Sequence, residues 1–156
     1  TRGNDDLILI TYDGMSIRFN EEDCREQGRA TRGVKGIKLH DGDYVKALIV
    51  VNDRQTLLIA GIKGQGKRSE FSEYRLQKRG GSGIIAIKTH GVAGAITVSD
   101  TDEMMLFTKS GQSVRCPVKD VRVIGRTTMG VRLINLAEDD QLVGICKVVE
   151  TDREEA

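Results

Sequence analysis

The chain has 156 residues, enough for one domain with a hydrophobic core of its own. Its 18 Gly, single Pro and lack of Trp favour short strands joined by turns and argue against a helix bundle. No segment is long and apolar enough to span a membrane as a helix. Although 24 Lys and Arg nearly balance 23 Asp and Glu, the two signs fall in separate clusters, so the sequence can still form a basic surface.

Four short strands are predicted near the start of the chain. Apolar and β-branched residues place these strands at 7–11, 16–20, 34–39 and 44–51. The sequence Tyr12-Asp13-Gly14-Met15 predicts a hairpin turn between the first two. A polar connection over 21–32, with room for one helical turn, precedes the third, and similar strands open later units at 57–60 and 104–108.

A pattern of Gly and Arg recurs three times. Each of three glycines is followed by an Arg after four residues, a second Arg after fifteen and a second Gly after nineteen. The three sets are Gly14, Arg18, Arg29 and Gly33; Gly64, Arg68, Arg79 and Gly83; and Gly111, Arg115, Arg126 and Gly130. Repeats with a spacing of about 50 residues indicate stacked supersecondary units.

The repeat predicts three units, over residues 7–53, 56–102 and 104–152. Each unit is expected to form a four-stranded blade, so the predicted fold is all-β, a β-propeller or β-pinwheel with about three blades. A propeller needs about four to eight blades to close. We therefore expect either part of a larger ring or association of two halves. The first residue is Thr1, which leads us to expect a start within a longer protein. The alternative is an ordinary β-sandwich in which Gly and Arg recur by coincidence.

The middle unit contains a Gly-rich basic heptapeptide, Gln77-Lys78-Arg79-Gly80-Gly81-Ser82-Gly83. It resembles the box motif of the C-terminal domain of the DNA gyrase A protein, which reads Gln-basic-Arg-Gly-Gly-basic-Gly. Degenerate copies occupy 27–33 and 124–130. Ser82 replaces the second basic residue, and Ile124 replaces Gln in the third copy. In that family the principal box belongs to the first blade, whereas the best box here lies in the second of three units. The lead-in at 64–68 and the closing stretch at 123–132 resemble late blades, so the resemblance implies the C-terminal half of that domain.

The resemblance implies a pinwheel that binds and wraps duplex DNA on a basic outer rim without sequence preference. It implies membership of the non-ATPase subunit of DNA gyrase, an ATP-dependent type II topoisomerase that introduces negative supercoils, and no catalytic activity in this chain alone. No cofactor or metal is expected here, because other parts of the holoenzyme use ATP and Mg. The implied partners are double-stranded DNA, the gyrase B protein through the rest of the gyrase A protein, and the remaining blades or a second copy. The implied location is the bacterial cytoplasm, with the nucleoid.

The resemblance also implies which residues contact DNA, with Arg29, Arg79 and Arg126 as the leading phosphate contacts. The full candidate set is Arg29, Arg32, Lys35, Gln77, Lys78, Arg79, Gly80, Gly81, Gly83, Arg126 and Arg132. Arg offers a planar fork of donors to phosphate, and Gly lets the backbone approach closely. The pair Lys67-Arg68 fits a solvated turn as readily as a DNA contact. Alternation in the second strands of the first and third units, over 16–20 and 113–116, predicts that Arg18 and Arg115 face outward.

Three other functions fit the sequence less well. The equivalent domain of topoisomerase IV is a close alternative, although the nearly intact box favours gyrase. A propeller for protein–protein recognition would expose an apolar or aromatic surface, for which the sequence offers few residues. Catalysis is disfavoured because GxSxG, HExxH and Walker A patterns are absent. The three cysteines are far apart without a CxxC pair, which argues against a zinc site.

Overall fold

A computed structural model describes residues 1–149. The predicted end of the third unit and the acidic run at 150–155 lie outside the described residues. In chain order the strands are β1 (Asp6–Thr11), β2 (Met15–Asn20), β3 (Val45–Val50), β4 (Thr56–Gly61), β5 (Gln65–Glu70), β6 (Ile84–Ile85), β7 (Val92–Val98), β8 (Glu103–Thr108), β9 (Ser113–Pro117), β10 (Val131–Arg132) and β11 (Leu142–Lys147). Short 3-10 turns at Glu21–Asp23, Phe71–Glu73 and Val118–Asp120 follow β2, β5 and β9.

The strands form three antiparallel sheets, with the orders β3-β1-β2-β6, β10-β5-β4-β7 and β11-β8-β9. Each sheet corresponds to one of the three repeats, which confirms the predicted all-β propeller class. The fourth strand of a sheet comes from the following unit. Thus β6 pairs with β2 through Ser16 and Ile84, and β10 pairs with β5 through Gly66 and Val131.

The predicted strand at 34–39 is wrong, because this segment forms no strand. The matching segments β6 and β10 become strands only by pairing with the edge of the preceding unit, and no described strand offers such an edge to the first unit. The segment is nevertheless anchored. Ile37 is buried in a small cluster with Ile17 and Phe19, and the backbone N–H of Lys38 donates to the carbonyl of Gly81 at 2.8 Å.

The sheets stack face to face, so the middle sheet is covered on both sides. In β4, Leu57 and Ile59 point into the core shared with the first unit, while Leu58 and Ala60 point into the core shared with the third. All six residues of β4 are buried. Alternate side chains of one strand therefore serve two different cores, which is why the strand has no polar face.

The stack has an inner and an outer edge. Strand β7 contacts both β3 and β11, so these three strands meet at the hub. Strands β2, β5 and β9 lie toward the opposite side of their sheets, where β6 and β10 are added to the first two. The connections that contain the second and third box motifs run from the 3-10 turns to β6 and β10, and therefore lie at the outer edge. The connection of the first unit runs to β3 but lies beside the second box, because the N–H of Gly80 donates to the carbonyl of Gly36 and the N–H of Lys38 to that of Gly81.

Candidate nucleic-acid interface

The predicted DNA-contacting residues lie in the outer connections or immediately beside them, and they differ in exposure. The exposed members are Arg29, Arg32, Lys35, Lys78 and Arg132. Gln77, Arg79, Gly80, Gly81, Gly83 and Arg126 are half-buried. The Arg132 guanidinium donates to the side-chain oxygen of Asn135 at 3.1 Å. The structure thus places candidates in all three units, in the outer connections or beside them, and it distinguishes exposed cations from cations that donate to the backbone of a neighbouring unit.

The box arginines contact the preceding unit. Arg79 donates through Nε to the carbonyl of Asp23 at 2.8 Å and through Nη1 to the carbonyl of Lys35 at 3.1 Å. Arg126 repeats the arrangement, with Nε donating to the carbonyl of Glu73 at 3.1 Å and Nη1 to that of Ile85. The acceptors Asp23 and Lys35 precede Glu73 and Ile85 by 50 residues each, so the two arginines make the same contact in successive units.

The last glycine of each of these boxes permits a close crossing of two chain segments. Gly83 has a φ of +76°, and a Cβ on it would lie 2.2 Å from the carbonyl oxygen of Ser16 in β2. Gly130 has a φ of +88°, and a Cβ on it would lie 2.4 Å from the carbonyl oxygen of Gly66 in β5. These glycines let the box loop pass directly over the edge strand of the preceding unit. The occurrence of Gly at the end of both boxes thus has a packing reason.

The arginines of the second strands bind the following unit. Arg18 forms an ion pair with Asp6 at 2.7 Å and donates through Nη1 to the carbonyls of Phe71 and Tyr74, at 3.0 and 3.4 Å. Its side chain is only 15% exposed, so the prediction that Arg18 faces outward to solvent is wrong. The reason is that the face of the first sheet that carries Arg18 packs against the second unit, where Arg18 points toward the 3-10 turn at Phe71–Glu73. Arg115 lies on the third sheet, at the end of the described stack, where it is exposed and pairs with Glu103.

Arg68 makes the corresponding contact between the second and third units. It donates to the hydroxyl of Thr56 at 3.0 Å, to the carbonyls of Val118 and Val121 at 3.4 and 3.3 Å, and to Asp100 at 2.7 Å. Only 3% of Arg68 is exposed. The interpretation of Lys67-Arg68 as a solvated turn or a DNA contact is therefore wrong.

Lys67 is a fully buried cation beneath the third box. Its Nζ donates to the carbonyls of Gly125 and Thr128, at 3.2 and 3.3 Å, and to that of Arg126. The equivalent residue under the second box is Ile17, whose side chain would meet a Cβ on Gly81 at 3.5 Å. Lys67 thus orients the carbonyls of the 124–130 loop, a role that the apolar Ile17 cannot play under the second box.

Burial lowers the pKa of Lys67 to about 8, with the nearby charge of Arg126 acting in the same direction. Between pH 8 and the ordinary lysine value of 10.5, the unfolded chain holds more protons at this position than the folded chain does. The contribution of Lys67 therefore makes the free energy of unfolding rise with pH in this window, by at most about 1.36 kcal/mol per pH unit. Lys67→Met should lack this rise.

The measurement is denaturant unfolding of the natural chain and of Lys67→Met from pH 8 to pH 10. Burial raises the pKa of Tyr74 to about 12, so stability contributed by that group is lost only above its ordinary value of 10. Lys63→Met alters an exposed lysine and should keep the rise. Parallel pH profiles for the natural chain and Lys67→Met would contradict a lowered pKa at Lys67.

One set of exposed arginines lies outside the predicted site residues. Arg25, Arg75 and Arg122 each lie eleven residues after the first Gly of a repeat, in the same register as the residues that defined the units. All three are exposed and begin the outer connection, two residues after a 3-10 turn. The signal that could have found them is the repeat itself, because these arginines recur with the spacing of the glycines.

The stacked sheets with exchanged fourth strands correspond to a known domain family. The family described as "DNA gyrase C-terminal domain, beta-propeller" matches residues 5–52, 55–99 and 102–145. The chain belongs to this family. The family prediction made from the box motif and the repeat is therefore confirmed.

Proteins of similar sequence support the same family. The DNA gyrase A protein of Haloquadratum walsbyi is 44% identical over 97% of the chain, and that of Escherichia coli K12 is 40% identical over 99%. The chain spans 18% of the length of each. A solved structure of a DNA gyrase A C-terminal domain is 31% identical with a TM-score of 0.85, covering 94% of this chain and 51% of that one. The C-terminal domain of a DNA topoisomerase IV, at 24% identity, has a TM-score of 0.88, covers 95% of this chain and 48% of that one, and shows the fold alone.

Residues 1–149 contain neither a candidate metal site nor a candidate membrane-spanning helix. That part of the chain has no group of three or more His, Cys, Asp or Glu arranged to hold a metal ion. Nor does it contain a helix long and apolar enough to cross a membrane. The outer connections therefore remain the feature that best combines repetition, exposure and charge.

Proposed function

We propose that the chain is a duplex DNA-binding and wrapping module of a DNA gyrase. The observation that carries the proposal is the recurrence of exposed cations on the outer connections of stacked units. Arg25, Arg29, Arg32 and Lys35 are exposed in the first unit, Arg75 and Lys78 in the second, and Arg122 and Arg132 in the third. Arg25, Arg75 and Arg122 occupy one position of the repeat and Lys35 and Arg132 another, and the other cations lie in the same connections. Together they form a basic outer edge that follows the stack.

Such an edge suits the phosphate backbone of duplex DNA. Each phosphate neutralised by Lys or Arg releases condensed counterions, which supplies affinity without reading the bases. Bending a site of 20–30 bp costs of the order of 1–6 kcal/mol, so contacts on several units are needed to hold a curved duplex. The described residues offer no helix long enough to enter the major groove, since their helical turns have three residues each. Binding should therefore depend little on sequence.

The family and the two ends of the stack support a proposal for the wider assembly. The chain acts in the non-ATPase subunit of the topoisomerase, joined to the gyrase B protein through the rest of the gyrase A protein, in the cytoplasm with the chromosome. It has no catalytic role of its own and uses no cofactor, and strand passage and ATP hydrolysis belong to other parts. Leu48 at one end and Val143 at the other are 56% and 50% exposed, and in the described residues β9 carries no added fourth strand. The remaining blades of the same domain, or a second copy, cover these ends.

A topoisomerase IV module is the second candidate, because the topoisomerase IV domain has the same fold with a TM-score of 0.88. The relatives with 44% and 40% identity are gyrase A proteins, and the second box departs from the gyrase pattern only at Ser82. These observations favour gyrase. Grafting the chain in place of the matching segment of a gyrase A protein distinguishes the two, since a gyrase module preserves negative supercoiling.

The proposal is tested by the affinity of the chain for a duplex of roughly 20 bp across a series of salt concentrations. We expect log K to fall linearly with log salt concentration, with a slope of about −0.9 for each phosphate contact. Duplexes of unrelated sequence should give the same line. Folded protein that fails to bind at low salt, or binding that ignores salt, would contradict the proposal.

A further inference from the structure

We propose that the main phosphate contacts are made by the arginine ladder, Arg25, Arg75 and Arg122, and that the box arginines Arg79 and Arg126 instead clamp neighbouring units together. This inference rests on the proposed function and specifies which residues of the outer edge perform it. It reverses the ranking that the box motif suggests. The ladder is defined by position in the repeat, and the clamp by hydrogen bonds to backbone.

The ladder positions are set by the same backbone contacts in successive units. The residue after Arg75, Leu76, forms a parallel bridge with Arg18 of the preceding unit, and the next N–H, of Gln77, donates to the Arg18 carbonyl at 2.8 Å. In the following unit, Val123 and Ile124 make the same bridge and a 2.8 Å hydrogen bond to Arg68. Each ladder arginine of these units therefore leaves the surface at a fixed point beside the edge strand of its neighbour.

The charges of the ladder are available to a ligand. Arg25, Arg75 and Arg122 are exposed, and none of them forms an ion pair within the described part of the chain. Beside Arg75 lies a neutral group, the Gln77 amide. With the amide oxygen turned toward it, Arg75 donates through Nε at 2.6 Å and through Nη2 at 3.0 Å. A neutral acceptor orients the guanidinium without cancelling its charge, which gives the first residue of the box a function.

The box arginines are less available. Arg79 and Arg126 are half-buried, and each directs Nε and Nη1 to carbonyls of the preceding unit. Those carbonyls belong to the backbone of another unit, whereas the Gln77 amide belongs to a side chain two residues from Arg75. Arg79 and Arg126 can therefore turn to a phosphate only by breaking contacts between units. Removing these side chains should therefore loosen the joint between units. Removing the ladder should leave the joints intact and weaken only the binding of a polyanion.

The test compares three variants of the full chain by thermal unfolding and by salt-dependent affinity for the same duplex of roughly 20 bp. The ladder variant is Arg25→Ala, Arg75→Ala and Arg122→Ala. The clamp variant is Arg79→Ala and Arg126→Ala. The matched control is Lys46→Ala, Lys63→Ala and Lys109→Ala, which also removes three exposed positive charges, one on the hub strand β3 and two at hairpin turns.

We expect the ladder variant to keep its Tm and to flatten the salt slope by roughly three units, while the control changes the slope by less than about one unit. The clamp variant should lose roughly 4 °C or more in Tm. An unchanged slope in the ladder variant, or a clamp variant that keeps its Tm and flattens the slope more, would overturn the inference while leaving DNA binding in place. A folded natural chain that does not bind the duplex would overturn the proposed function and the ladder with it.

Discussion

Replacing Arg68 with Ala should lower the free energy of unfolding by about 3 kcal/mol or more, because it leaves several buried acceptors without a donor. Arg68 bonds Thr56, Val118, Val121 and Asp100 from a position that is 3% exposed. Its fork joins β5 to the 3-10 turn of the third unit. The loss should appear in urea unfolding as a lower midpoint.

The control for Arg68 is Arg54→Ala, which removes an exposed arginine and should change stability by less than about 0.5 kcal/mol. Arg68→Lys keeps the charge but has no planar fork, so it should recover only part of the loss. If Arg68→Ala were as stable as Arg54→Ala, the joint between the second and third units would not depend on this side chain. In that case the hydrogen bonds around Arg68 would fix the geometry of the joint without a net contribution to the free energy of unfolding.

Replacing Gly83 with Ala should destabilise the chain by roughly 3 kcal/mol, through backbone strain and a steric clash together. The new Cβ would lie 2.2 Å from the Ser16 carbonyl oxygen, so β6 could not keep its pairing with β2. A positive φ of +76° adds the cost of a left-handed conformation for Ala. Hydrogen exchange at Ala86, whose N–H donates to Gly14 beside this crossing, should accelerate with the loss of pairing.

Gly80→Ala separates the cost of backbone strain from the cost of the steric clash. Gly80 has a similar φ of +82°, but a Cβ there would be 3.5 Å from its nearest neighbour, the Lys35 carbonyl. Only the conformational cost of about 1–2 kcal/mol should remain. Equal losses for the two variants would mean that the close crossing at Gly83 relaxes easily, contrary to the tight contact with Ser16.

The architecture was predictable because it repeats. Gly14, Gly64 and Gly111 mark hairpin turns in three units, and most long strands lie within a residue or two of their predicted bounds. The strands that join the sheet of the preceding unit were not predictable in the same way. Strands β6 and β10 have two residues each, and their partners belong to the preceding unit, so no local pattern indicates the pairing. The segment 34–39 has the same apolar character, but no strand of the described residues offers it an edge to pair with.

The outward assignment of Arg18 failed for a related reason. Alternation of polar and apolar residues identifies a solvent face only when one side of a sheet meets water. In this stack, the face of the first sheet that carries Arg18 meets the second sheet instead of water, and the middle sheet meets a neighbour on both faces. The run Leu57-Leu58-Ile59-Ala60, apolar at every position, was the signal for burial on both sides. That signal also favours a buried position for Arg68 on the partner strand.

The candidate site was predictable as a region and less so residue by residue. The box motif located the outer connections, and the exposed Arg29, Arg32 and Lys78 lie there. Which arginines hold carbonyls and which remain available depends on the backbone of the adjacent unit. Sequence alone cannot distinguish Arg79, bound to Asp23 and Lys35, from Arg75 four residues earlier.

The bend of bound DNA tests most directly whether the outer edge of the stacked units binds duplex DNA along a curve. A duplex of roughly 30 bp with a donor and an acceptor dye at its two ends would be titrated with the chain at low salt. We predict that energy transfer between the ends rises as the complex forms and returns to its starting value when salt releases the protein. Saturated binding with no change in energy transfer would show a straight complex and contradict binding along a curve.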